Sequence, residues 1–444
     1  MLYSIQRREL TRLEQSVNKL ACVAQKGTAM ETKIFIIDEM MGGGKTSAAI
    51  NYMNNAPESE RFIFVTPFLS EIEERVIPLC EAKNFVTPVS AKGETKLNSL
   101  VAMVADGRNI ATTHSLFDRM TPKLAAQISK MNYTLIMDEV HESIKDFAIS
   151  KYDRDILLSY YASIDEHTGA VVWDPDMQDY IGKFSQVKYM CDTRQLYCNG
   201  GTSFIRTFPP KIYTTFNKVI ILTYMFQAQV LRCFYDLNSI SYSRLYVERR
   251  DGEFFFTDKR QQIETRTDYR NLIHILNNTK MNRVGMDKYS LCVQWYGKAK
   301  GEQLQEIKNN MVNFFIHIVK GKSRDNMWTA FKNTKQALTG KGYTKGFVPS
   351  RVRATNKFRE RVNVAYPINI FLDPCLKRFF SAHDIHIDED QYAMSEMIQC
   401  LWRSAIRDGK EIWVYIPSAR MRGLLEQWIE DNSPAADISN KEAV

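Results

Sequence analysis

The run Asp38-Glu39-Met40-Met41-Gly42-Gly43-Gly44-Lys45-Thr46-Ser47 joins an apolar stretch to a helix-like one. Consecutive glycines let a backbone wrap around phosphate groups with its amides turned inward. In that frame Gly42, Gly43 and Gly44 form the cradle and Ser47 opens the following helix. Lys45 then reaches the β- and γ-phosphates, and the Thr46 hydroxyl ligates Mg²⁺. Glu39 stands where the pattern G-x-x-x-x-G-K-[ST] has its first glycine. A glycine turn without a ligand is the alternative; the placement between strand and helix favours the phosphate loop.

A second constellation, Leu135-Ile136-Met137-Asp138-Glu139-Val140-His141, is an apolar strand ending in two adjacent carboxylates. A phosphate loop needs an acid on a neighbouring strand to hold Mg²⁺, and Asp138 fits that role. Glu139 is placed to polarise an attacking water. The two patterns together point to nucleotide hydrolysis.

On these residues the chain resembles the superfamily 2 helicases of the DExH-box variety, whose motif II is matched by Asp138-Glu139-Val140-His141. Val65-Thr66-Pro67-Phe68-Leu69 is similar to the family's motif Ia, which implies that Thr66 and Pro67 contact a nucleic-acid backbone. Ala111-Thr112-Thr113-His114-Ser115-Leu116-Phe117 resembles the threonine-containing loop before motif II, which adds Thr113 to that track. Leu222-Thr223-Tyr224-Met225 stands where the family has Ser/Thr-Ala-Thr, without the alanine and second threonine. Gln399 to Arg407 resembles motif VI, with Trp402 in place of a glycine and one extra residue before the second arginine. If these residues are helical, Gln399, Arg403 and Arg407 share one face at i, i+4 and i+8. Two guanidiniums on one face suit charge stabilisation of a transferring phosphoryl group, with Arg403 the better match. Solvated arginines are the alternative.

The segment from Lys320 to Arg361 carries twelve Lys or Arg against Asp325 and Glu360, whereas the whole chain has a net charge of +8. Localised positive charge is the footprint of a polyanion partner, or simply a solvated basic face. The segment lies where the family carries motif V, which implies nucleic-acid contacts by Arg351, Arg353 and Thr355. Trp328 and Phe331 either stack bases there or belong to the core. Within the superfamily the chain looks most like phage-encoded members.

These residues need a scaffold. Lys33 to Ile37, Arg61 to Thr66, Asn109 to Thr113, Tyr133 to Met137 and Lys218 to Leu222 read as buried strands separated by helix-like stretches. That alternation predicts an α/β fold with parallel sheets flanked by helices and ligands at the carboxyl ends of the strands. The resemblance implies two tandem RecA-like domains, over residues 31–235 and 236–444, after an N-terminal helix within 1–30. An aromatic-rich stretch at about 142–215 breaks the alternation and reads as an insertion in the first domain.

A chain that is 44% hydrophobic and 25% charged is neither disordered nor a coiled coil. Its eight cysteines are too sparse for a disulfide scaffold and suggest a reducing, cytoplasmic compartment, the host's if phage-encoded. Apolar runs such as Val219 to Phe226 fall far short of the roughly 20 residues that span a bilayer, so no membrane partner is expected. The resemblance implies an ATP- and Mg²⁺-dependent helicase or translocase on nucleic acid, DNA favoured over RNA. An RNA helicase, a phosphate-loop ATPase acting on a protein partner and a non-catalytic binding module remain the alternatives.

Overall fold

The computed structural model describes residues 33–90, 94–200, 203–260, 267–350 and 357–434. The expected N-terminal helix lies outside these residues, as do Arg351, Arg353 and Thr355.

Apolar runs become the first strands: β1 (Lys33–Asp38), β2 (Arg61–Thr66), β3 (Ile110–Thr113) and β4 (Tyr133–Asp138). Successive side chains leave a strand on opposite faces, so a strand covered on both sides must be apolar throughout. β2 shows this directly. Ile63 and Val65 join the core beneath α2 (Lys96–Ala105), while Phe62 and Phe64 pack on the side of α1 (Lys45–Asn55).

The insertion is a unit of its own. It comprises β5 (Ile144–Phe147), α3 (Lys151–Tyr160), β6 (Ala162–Ile164), β7 (Val171–Trp173), α4 (Ser185–Asp192), β8 (Leu196–Asn199) and β9 (Ser203–Thr207). Its strands form an antiparallel sheet ordered β5-β9-β8 and a β6-β7 ribbon. Trp173, Phe184 and Leu157 are among the residues of its small separate core.

The chain then returns through β10 (Lys218–Thr223), α5 (Val230–Leu237), β11 (Ser243–Arg250) and β12 (Glu253–Thr257). The first sheet is ordered β12-β11-β1-β10-β4-β2-β3, parallel except for β12. The boundary expected at 235 therefore falls inside α5, and residues up to 257 belong to the first sheet. β11 does not show as an apolar run because Arg244, Glu248, Arg249 and Arg250 interrupt it; its second half runs past β1 and pairs only with the edge strand β12.

The second sheet, β13 (Ile273–Ile275), β14 (Asn326–Ala330), β15 (Phe347–Pro349), β16 (Asn363–Ala365) and β17 (Ile412–Tyr415), is ordered β13-β17-β16-β14-β15 and wholly parallel. The helices α6 (Gly301–Val312), α7 (Pro374–Ala382), α8 (Glu389–Leu401) and α9 (Ala419–Asn432) follow the same alternation. Two tandem RecA-like α/β domains result. One element crosses between them: Phe379 and Phe380 of α7 are buried in the first domain's core, and the Asn199 side chain donates to the Cys375 carbonyl at 2.6 Å. Among the described residues no helix is long and apolar enough to cross a membrane.

Candidate functional site

The carboxyl ends of β1, β4 and β10 meet at one edge of the first sheet. The glycine loop leaves β1 there, and Gly42 and Gly44 take left-handed φ values of 85° and 81°. A Cβ on Gly44 would lie 2.1 Å from the Phe254 ring of β12, so both backbone and neighbour demand glycine. Lys45 is buried and donates to the carbonyls of Glu39 and Met40. Thr46 Oγ1 lies 3.5 Å from Asp138 Oδ1 across the sheet.

Burial pushes the Asp138 carboxyl up to about 7, with the adjacent Glu139 charge adding to the effect and Lys45 opposing it. Burial likewise lowers Lys45, against the pull of Glu139 and Asp138. Two acids and an ammonium in a desolvated cluster are out of balance by themselves. A divalent cation beside Asp138 would restore the charged carboxylate. Glu139 sits at φ 65°, rare for a residue with a side chain, and its Oε2 is buried without a hydrogen-bond partner. His141, beyond it, is buried 3.3 Å from Asp118.

The second domain closes the cleft. Gln399, Arg403 and Arg407 line the same space as Gly42, Gly44, Lys45, Thr46 and Ser47 and the two acids. A Cβ on Gly42 would be 3.7 Å from the Arg407 carbonyl oxygen, so the loop and the second domain are almost in contact. The expected helical face is corrected, however: α8 stops at Leu401, and Arg407 lies in a 3₁₀ turn, Ala405–Asp408. The Trp402 ring packs against Tyr269 and Trp428, and the Ser404 hydroxyl donates to the Leu401 carbonyl at 2.6 Å, which together turn the chain. Arg403 is buried with Nη1 unpartnered. An orphaned guanidinium nitrogen and an orphaned carboxylate oxygen, both buried on residues that line one cleft, are costly to leave unpaired. Thr46 and Asp138, 3.5 Å apart, would suit a divalent cation, and Lys45 beside the glycine loop would suit a phosphate group.

Three further residues line this cleft without having been singled out: Glu71, Arg75 and Phe254. The i, i+4 spacing of Glu71 and Arg75 was the available signal for the first two. Other expectations change. Thr66 and Thr113 are register partners on β2 and β3, but Thr66 is fully buried, so its hydroxyl does not face a bound strand. Pro67 and Thr113 are half-buried. Trp328 is buried beside Tyr343 and Phe347 in the second core, and Phe331 packs against that core, so Trp328 is structural rather than a base platform.

Fold and cleft together define the class: two RecA-like domains facing each other across a cleft lined by a glycine loop, paired acids and arginines. The chain belongs to the YonV family. It is 38% identical over 411 residues to the SPbeta prophage-derived uncharacterized protein YonV of Bacillus subtilis (strain 168), covering 90% of this chain and 99% of that one. Residues 267–429 match the YonV C-terminal Rossmann-like domain, which begins ten residues past the end of β12. Among solved structures, the DUF1998 helicase MrfA bound to DNA is similar at 10% identity and a TM-score of 0.33 over 93% of this chain, which spans 50% of that chain's length.

Proposed function

We propose that this chain is a phage-type, DExH-like ATPase that couples hydrolysis in the inter-domain cleft to movement along nucleic acid, DNA in preference to RNA. The observation that carries the reading is the convergence of Lys45, Thr46, Asp138 and Glu139 from one domain with Gln399, Arg403 and Arg407 from the other. Bound Mg²⁺ would neutralise charge on the β- and γ-phosphates. Lys45 exchanges its carbonyl partners for phosphate oxygens. Glu139 orients a water for attack on the terminal phosphorus, and ADP leaves. Arg403, with Arg407 beside it, supports the charge spread over the transferring group.

Because the arginines come from the opposite domain, nucleotide occupancy and domain closure are linked: triphosphate draws the faces together, and product release lets them part. The net positive segment from Lys320 to Arg361 supports a polyanionic track. The prophage origin of the relative suits a protein working in the host cytoplasm.

The test is steady-state ATP hydrolysis alone and with single-stranded DNA, duplex DNA or single-stranded RNA, with Lys45→Ala as control. Stimulation by one of them that disappears in Lys45→Ala supports the motor and names its track. Turnover indifferent to every nucleic acid would favour an ATPase directed at a protein, and turnover surviving Lys45→Ala would remove the phosphate-loop assignment.

A further inference from the structure

Behind β2 the chain enters the cleft a second time. Leu69–Glu71 is a short α-turn, Ile72–Val76 is π-helical, and Ile77–Leu79 is again α-helical. Pro78 gives a local cause: it has no N–H for the Glu74 carbonyl, and its ring crowds that turn. Wide turns of this kind recur at functional sites. Here Ile72 and Val76 are fully buried beneath the first sheet, which anchors the segment. Glu71 and Arg75 project from it into the cleft and form an ion pair with each other.

The location is informative. The Glu71 and Arg75 charges both act on Asp138, and the Arg75 charge also acts on Arg407. Arg75 therefore lies among the residues assigned to the metal and the terminal phosphate, with its guanidinium engaged by a carboxylate of its own segment. A surface ion pair at i, i+4 would add little to stability. Inside a cleft that must accept a highly charged anion, the same pair is a competitor. A phosphate group offers the planar guanidinium two oxygens in the geometry it prefers, and its charge disfavours a nearby Glu71 carboxylate.

We infer that Arg75 is a third arginine for the terminal phosphate, supplied by the first domain and held back by Glu71 until a triphosphate arrives. The inference rests on the ATPase reading above and deepens it. Exchange of Glu71 for phosphate would release the carboxylate that now ties the Leu69–Val76 segment to its own arginine.

The experiment compares equilibrium binding of fluorescent ADP and a fluorescent non-hydrolysable ATP analogue to the full chain, its Arg75→Gln and Glu71→Gln variants, and Lys45→Ala. Arg75→Gln should weaken the analogue by about tenfold or more while ADP stays within about twofold, as expected for loss of a charge-assisted phosphate contact. Glu71→Gln should tighten the analogue and leave ADP unchanged. Equal loss of both ligands in Arg75→Gln, or an unchanged preference in either variant, would overturn the inference. A backbone phosphate of nucleic acid is the other source of the same chemistry, so nucleotide-free DNA binding is measured alongside. Weaker DNA binding with intact analogue preference would also overturn it. If Arg75→Gln fails to fold, Glu71→Gln carries the test alone. If the unaltered chain binds neither nucleotide, the ATPase reading falls first and this inference with it, whereas nucleotide binding with no change in preference sinks only the inference.

Discussion

Trp428 of α9 donates its indole N–H to the Tyr224 hydroxyl at 2.9 Å, joining the second domain to the loop that leaves β10. Tyr224 lies in the Leu222–Met225 stretch expected, by resemblance, to stand for the helicase coupling motif, and Trp428 packs on Trp402, next to Arg403. Tyr224 and Trp402, where the chain departs from the helicase motifs it resembles, thus both contact Trp428. Tyr224→Phe removes the acceptor and strands the indole N–H of the buried Trp428, at a cost of about 1–2 kcal/mol. Basal hydrolysis should stay within about twofold, while stimulation by nucleic acid falls, because the variant loosens the link between domains rather than the chemistry. The ratio of stimulated to basal turnover reads this directly.

Gly44→Ala should lose nucleotide binding for two separable reasons. Left-handed φ costs an alanine about 1–2 kcal/mol, and its Cβ would overlap the Phe254 ring. Combining it with Phe254→Ala relieves the overlap and leaves the backbone cost. Thermal unfolding of both single variants and the double variant should therefore be non-additive, with the double more stable than the sum predicts.

Arg403→Ala should lower turnover by about 10²–10³-fold or more, with a smaller effect on nucleotide affinity. Arg403→Lys should not restore it, since an ammonium lacks the planar fork. The nucleotide-free protein should be no less stable than the parent, because the variant removes a buried guanidinium with an unpartnered nitrogen. A fall in stability matching the loss of activity would assign Arg403 a structural role.

Asp118 is the acid-sensitive contact behind the site. Burial acts to raise its carboxyl, but His141 at 3.3 Å and Lys145 at 3.0 Å outweigh that and hold it well below the ordinary range. A carboxyl lowered on folding stabilises the native state above the unfolded value of about 4, and that stability is lost as pH falls below it. Asp118→Asn should therefore cost about 1–3 kcal/mol near neutral pH, for loss of charge-assisted hydrogen bonds. In urea unfolding, the gap between parent and variant should close as pH drops below about 4.

The glycine loop, the paired acids and the strands ahead of them were legible because each is a local statement. An apolar, β-branched run can only be a buried strand, and a glycine cradle or an acid at its carboxyl end stands at the edge where such sheets bind ligands. β1, β2 and β4 begin at the expected residues and run one residue further at most. The side-chain direction of Thr66 is not a local statement. Thr66 ends a strand in the expected place, yet its side chain alternates into the core, a consequence of strand phase that motif likeness does not carry.

The amino-acid order by itself determined which groups are available to the cleft: a lysine, a threonine, two carboxylates and two arginines with a glutamine. Tertiary structure alone decided that they share it. Asp138 and Arg403 are brought into one cleft by the approach of the two domains, and folding leaves Glu139 and Arg403 with buried unsatisfied atoms. Packing within the first domain brought in Arg75 and Phe254, whose own neighbourhoods hold no phosphate motif, and packing of the Trp402 ring within the second turned Arg403 off the helix. Chemistry that depends on residue type is written locally; chemistry that depends on desolvation and on approach between distant segments arises only when the chain folds.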